Sequence, residues 1–136
     1  MTCAAVVEGN EPFFVNAADD HQSLALPAGS TATSPTTCIA SGQPIFRFVA
    51  RTSGDQHSRL KVEILYTSKK GRKRSAVAGK LRAGDAWAPT KRLATRLGRA
   101  KTHGRLKTAT VAFRFTPIGP GDWQIDDLHL DPRSRR

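Results

Sequence analysis

Two adjacent carboxylates, Asp126 and Asp127, stand inside the apolar stretch Trp123-Gln124-Ile125-Asp126-Asp127-Leu128-His129-Leu130 near the end of a 136-residue chain. Carboxylates among apolar neighbours are costly unless they are hydrogen-bonded, paired or bound to a cation. Hard oxygen ligands of this type suit calcium, which makes Asp126 and Asp127 candidate ligands of a structural calcium ion. The plainer alternative is one solvated carboxylate and one hydrogen-bonded to a loop. On a regular strand the two side chains point to opposite faces, so both reach one site only across a bulge. Neighbours on one strand cannot flank a glycosidic bond from both sides, which excludes a glycosidase pair.

The second chemistry-bearing feature is charge. The chain carries 22 Lys/Arg against 11 Asp/Glu, a net charge of +11. Residues 69–107 hold fourteen of those cations and a single acid, Asp85, while the segments on either side are close to neutral. Lys69, Lys70, Arg72, Lys73 and Arg74 crowd around Gly71. Such a cluster attracts polyanions, with an affinity that falls steeply as salt rises. The alternative is a solvated, Arg-rich surface. Base stacking wants interleaved aromatics, and only Trp87 lies within the segment.

Trp87 sits in a turn-rich stretch and is the candidate platform for a stacked sugar ring. Trp123 shares its strand face with Ile125, which favours packing in the core. His21, His57, His103 and His129 have no metal-ligand spacing. The chain has no nucleophile elbow, no phosphate-cradling Gly-rich loop and no dinucleotide fingerprint. Asp19, Asp20 and His21 read as a polar loop. The residues therefore point to a binding protein rather than an enzyme, with no cofactor beyond the structural calcium. The two cysteines, Cys3 and Cys38, allow at most one disulfide.

The elements that must position these groups are strands. Apolar and polar residues alternate with period two in Ile45–Arg51, Arg59–Tyr66 and Thr108–Thr116. Phe46, Phe48 and Ala50 take one face, with Arg47 and Arg51 on the other. Leu60, Val62, Ile64 and Tyr66 share a face, and Lys61 and Glu63 are expected to face water. Val111, Phe113 and Phe115 point one way. Shorter strands are expected over Pro12–Val15, Ser23–Pro27, irregularly around Cys38, and over Ser75–Leu81. Ser68 to Arg74 reads as a hairpin turn centred on Gly71. Residues 90–107 show some helical spacing at Leu93 and Leu97 but no long apolar stripe, and read as strand or irregular. About eight short strands punctuated by Gly and Pro make one antiparallel β-sandwich domain over residues 1–136. No apolar run is long enough to span a bilayer, and no signal peptide is legible at Met1-Thr2-Cys3-Ala4-Ala5-Val6-Val7.

Several stretches together resemble a family of uncharacterised secreted actinobacterial proteins: Val6-Val7-Glu8-Gly9-Asn10-Glu11-Pro12-Phe13, Ser23 to Ser30, Thr33 to Cys38, Phe46-Arg47-Phe48, Phe113 to Pro117, and Trp123-Gln124-Ile125-Asp126-Asp127. The family looks like the galactose-binding-like jelly rolls used by many carbohydrate-binding modules, which commonly end on an Ile-Asp-Asp strand. The resemblance implies a jelly-roll sandwich, an extracellular or cell-surface location, and a glycan or cell-envelope polymer as partner. In that family a secretion signal and a Gly-rich strand carrying Phe-Glu and a Trp precede the Val-Val-Glu-Gly stretch. Here the sequence opens directly before it. The resemblance implies either a start placed late or a lost first strand; the loss is expected to leave a sheet edge unpaired and to remove the glutamate that related modules use with the terminal carboxylate to hold calcium.

Overall fold

The computed structural model describes residues 24–40, 45–52, 57–95, 100–104 and 107–131. The strand expected over Pro12–Val15, the loop with Asp19, Asp20 and His21, the turn before Ile45, and Cys3 and Leu97 lie outside the described residues. Among the described residues ten strand segments follow one another: β1 (Leu24–Leu26), β2 (Ala32–Thr33), β3 (Thr37–Ala40), β4 (Ile45–Thr52), β5 (Arg59–Thr67), β6 (Lys73–Leu81), β7 (Ala88–Pro89), β8 (Leu93–Ala94), β9 (Thr108–Ile118) and β10 (Trp123–Asp131). Among the described residues no helix is long and apolar enough to cross a membrane.

The segments form two antiparallel sheets. The first runs β1-β10-β4-β7, with β8 also on β4; the second runs β2-β9-β5-β6, with β3 also on β9. Since β2 and β3 share a partner, as do β7 and β8, the segments fill eight strand positions. The pairing is nested, with β1 on β10, β2/β3 on β9, β4 on β7/β8 and β5 on β6. That is the strand order of a jelly roll.

The period-two pattern explains the core. Phe46, Phe48 and Ala50 of β4 and Trp123, Ile125 and Leu128 of β10 are buried from the first sheet. From the second come Leu60, Val62 and Ile64 of β5 and Ala109, Val111, Phe113 and Phe115 of β9. The sheets meet through aromatic pairs. Phe46 and Phe113 have ring centroids 4.8 Å apart, and Phe48 meets Phe115 edge-on at 5.4 Å. Such pairs contribute about 0.5–1.5 kcal/mol each beyond the area they bury. Trp123 is fully buried, and its Nε1–H donates to the buried Ser58 hydroxyl at 2.7 Å.

One open side is closed where β6 approaches β8. A Cβ on Gly79 would lie 2.9 Å from Leu93 Cδ2, so the missing side chain is what lets Leu93 pack there. Leu93 is buried. The stretch around it, read from sequence as strand or irregular, forms the short β8 and, among the described residues, two isolated bridges, Ser68 with Ala100 and His103 with Thr108.

Candidate ligand-binding site

The site is assembled on the outer face of the second sheet. On β5, Lys61, Glu63, Leu65 and Thr67 alternate away from the core. On β9 the outward set is Thr110, Ala112, Arg114 and Thr116. Register places Ala112 beside Leu65 and Leu65 beside Ser75, giving one row across β9, β5 and β6. A neighbouring row sets Thr33 beside Arg114 and Arg114 beside Glu63. On the far side lies the pair Thr67 and Lys73. A cleft of about 590 Å³ sits over the middle row, lined among others by Leu65, Ser75, Thr110, Ala112, Lys73 and Arg114. Ser34 and Thr36, from the connection between β2 and β3, and Arg74 also line it.

Local sequence explains the walls. Ser34 and Pro35 break what would be one strand into β2 and β3. The Phe113 N–H donates to Ser34 Oγ at 2.9 Å, and the Ser34 N–H donates to the Phe113 carbonyl at 2.8 Å. This satisfies the β9 backbone across the break. On the other side, Gly71 adopts φ 81° at the tip of the β5–β6 hairpin. Its N–H donates to the Ser68 carbonyl at 2.9 Å, and the Ser68 N–H donates to the Arg72 carbonyl at 2.7 Å. The expected turn is therefore present, but it is tighter than expected: Lys73 and Arg74 already belong to β6.

Lys69, Lys70, Arg72, Lys73 and Arg74 are all exposed. None of the five makes an ion pair among the described residues. The hairpin thus carries five cations to one end of the sheet, and Lys73 and Arg74 bring two of them to the cleft. A further part of the basic segment lies elsewhere: Lys80, Arg82 and Lys91 line a smaller cleft of about 350 Å³ with Pro89 and Thr90.

Glu63 corrects an expectation. Strand alternation sends it away from the core, yet it is only 6% exposed. Arg114, directly opposite on β9, covers it with a bidentate pair, Nε to Oε1 at 2.9 Å and Nη2 to Oε2 at 2.9 Å. Lys61 Nζ lies 3.9 Å from Oε1. The Arg114 hydrogen bonds hold the Glu63 carboxyl below its ordinary value of 4.5, against the opposing effect of burial. In return Glu63 pushes the Arg114 guanidinium further up. Nothing in the sequence near Glu63 signals this, because its partner is 51 residues away.

Trp87 lies on the other sheet, just before β7, and is 41% exposed. The Arg51 guanidinium sits 5.0 Å from its ring centroid. Arg51 Nε also donates to Gln124 Oε1 at 2.5 Å. Trp87, Arg51 and Gln124 therefore form a strip on the outer face of the first sheet, separate from the cationic cleft. Arg51 and Gln124 line a depression of about 320 Å³ there with Ala25 and Asp122. Trp123, by contrast, is core, as its face shared with Ile125 predicts.

Asp126 and Asp127 do sit at a bulge. Asp126 pairs with Val49 and His129 with Arg47, so β10 carries one extra residue between them. Asp127 adopts φ 52°, a left-handed conformation that Asp tolerates better than most residues. Its N–H donates to Asp126 Oδ1 at 2.8 Å. Because Ile125 and Leu128 are both buried, the bulge keeps both carboxylates out of the core instead of splitting them between faces. Among the described residues no third His, Cys, Asp or Glu joins them to make a metal-binding group. Cys38 is disulfide-bonded and lies opposite Thr110, at the margin of the cleft.

No family model matches the chain, and no curated protein sequence matches it.

Proposed function

We propose that this protein is a non-catalytic extracellular binding module for an anionic glycan or cell-envelope polymer, held in the cleft on the outer face of the second sheet. The observation that carries the reading is the make-up of that cleft. Leu65 and Ala112 supply an apolar floor of the kind that the C–H face of a sugar ring packs against. Hydroxyls of Thr33, Thr36, Thr67, Ser75 and Thr110 stand around it. Lys73 and Arg74 add positive charge at one end, backed by Lys69, Lys70 and Arg72 on the hairpin. A small apolar patch ringed by polar groups that set orientation is the usual pattern of a small-ligand site. The disulfide at Cys38 supports an oxidising, extracellular setting. The jelly-roll strand order agrees with the carbohydrate-module resemblance.

The test is binding of the purified chain to neutral glycans, acidic polysaccharides and duplex DNA at low and high salt. The expected result is a preference for an acidic polysaccharide over DNA, with affinity that weakens but persists at high salt. Neutralising Lys69, Lys70, Arg72, Lys73 and Arg74 together lowers the salt slope by several units. Equal binding to every polyanion, abolished by salt, overturns the glycan reading and leaves a purely electrostatic binder. An unchanged slope in the neutralised variant removes the hairpin from the site.

A second reading rests on the strip of Trp87, Arg51 and Gln124. An exposed indole beside a fixed guanidinium and a side-chain amide suits a neutral sugar, with ring stacking on Trp87. Salt-resistant binding of a neutral glycan that is lost in Trp87→Ala supports it; binding unaffected by that change excludes it.

A further inference from the structure

Among the described residues that line the cleft, Arg114 is the one cation whose direction is fixed by an ion pair. Its guanidinium has five N–H donors. Two of them, on Nε and Nη2, are spent on Glu63. Nη1 makes no hydrogen bond among the described residues. The side chain is about one-third exposed and lines the cleft, whereas Glu63 beneath it is nearly buried. The pair is neutral as a unit, so Arg114 adds little to the field that draws in a polyanion. It adds a planar donor locked by a bidentate fork, with hydroxyl-bearing Thr33 beside it in register.

Resting on the reading of the cleft as a glycan site, we infer that Arg114 is the specificity-determining residue, donating through Nη1 to a carboxylate or ring oxygen of an acidic sugar. Glu63 is its positioning residue. The cleft then divides its labour. The exposed cations of the hairpin supply attraction to any polyanion and set the salt dependence. The fixed fork of Arg114 distinguishes a uronic-acid sugar seated on Leu65 and Ala112 from a nucleic acid or polyphosphate chain, which offers charge without the sugar face.

The two roles respond in opposite directions to Glu63→Gln. That change removes a negative charge beside the cleft, so electrostatics alone makes any anion bind more tightly. Loss of the fork frees the guanidinium to rotate and makes the acidic sugar bind more weakly. The experiment titrates a uronic-acid tetrasaccharide and inorganic polyphosphate against wild type, Glu63→Gln, Arg114→Lys and Ser75→Glu, each first checked for a cooperative thermal transition. Ser75 is exposed, so Ser75→Glu keeps the test alive if either change at the ion pair fails to fold.

The expected result is a loss of about tenfold or more for the tetrasaccharide in Glu63→Gln and Arg114→Lys. In both, polyphosphate binds as well as, or better than, to wild type; the salt slope is unchanged in Arg114→Lys and does not fall in Glu63→Gln. Ser75→Glu weakens the tetrasaccharide by a similar factor. Unchanged or tighter tetrasaccharide binding in folded Glu63→Gln or Arg114→Lys overturns the role of Arg114 while leaving the glycan reading intact. If neither ion-pair variant folds, unchanged binding in Ser75→Glu overturns it. If wild type does not bind the tetrasaccharide at all, the glycan reading itself falls.

Discussion

Glu63 and Arg114 face each other across β5 and β9 and close a two-point hydrogen-bonded ion pair, 2.9 Å at each contact, on the outside of a sheet whose inside is wholly apolar at the same rows. The pair links stability to pH. Its hydrogen bonds lower the Glu63 pKa in the folded state. A depressed carboxyl contributes stability that is fully present above its unfolded value, close to 4.5, and that is lost as pH falls through the folded value. Denaturant melts at pH 7, 5, 4 and 3 are expected to show wild-type stability falling below about pH 4.5. Glu63→Gln is less stable at pH 7 and loses less between pH 5 and 3. Parallel pH curves for the two proteins would exclude a contribution from this pair.

The Trp123 indole provides a second, separable test. Its N–H is fully buried and its acceptor is the Ser58 hydroxyl. Ser58→Ala removes the acceptor and leaves a buried donor without a partner, which costs about 1–3 kcal/mol. Urea unfolding is expected to show a lower midpoint with an unchanged slope. A change near zero would mean that another group takes the indole hydrogen.

Two glycines are expected to respond oppositely to alanine. At Gly79 the new Cβ meets Leu93 Cδ2 at 2.9 Å, and Leu93 is buried, so it has little room to give. Gly79→Ala should destabilise by about 1–3 kcal/mol through overpacking. At Gly84 the Cβ meets nothing within 4 Å. Gly84→Ala should be neutral, or stabilising by up to about 1 kcal/mol through the unfolded chain. Thermal shifts of the same sign for both would contradict the packing of β6 against β8.

The two tryptophans differ enough in exposure to be read separately by fluorescence. Trp123 is sealed in the core, and Trp87 is exposed beside Arg51. Trp87→Phe should leave a blue-shifted emission that acrylamide quenches poorly, with little loss of stability. Strong quenching of the remaining tryptophan would place Trp123 near water. In wild type, a shift in the quenchable component on adding a neutral sugar reports on the Trp87 strip and is silent for the cationic cleft.

Much of the architecture is legible along the chain because a half-buried strand must alternate. Phe46, Phe48 and Ala50, or Val111, Phe113 and Phe115, declare their inward face without reference to anything distant, and each is buried. Gly71 marks its turn because the positive φ there is reached at least cost by glycine. The clustering of five cations around that turn is likewise a property of sequence alone. Short β7 and β8 were harder to place, since two-residue strands have no period to read.

Tertiary structure decided what those outward faces do. By alternation Glu63 is a solvent-facing residue; only the register of β5 against β9 brings Arg114 over it and turns an exposed acid into a buried, paired one. Alternation likewise splits Asp126 from Asp127, and only the extra residue in β10 keeps both out of the core. The cleft has no counterpart in any continuous stretch of sequence. Its floor and walls come from β2, β5, β6 and β9 and the connection between β2 and β3, segments brought together because each strand's inward face had to be buried. The apolar pattern of the chain specifies that burial; which polar side chains then meet on the outside follows from register and pairing, which are long-range outcomes of packing.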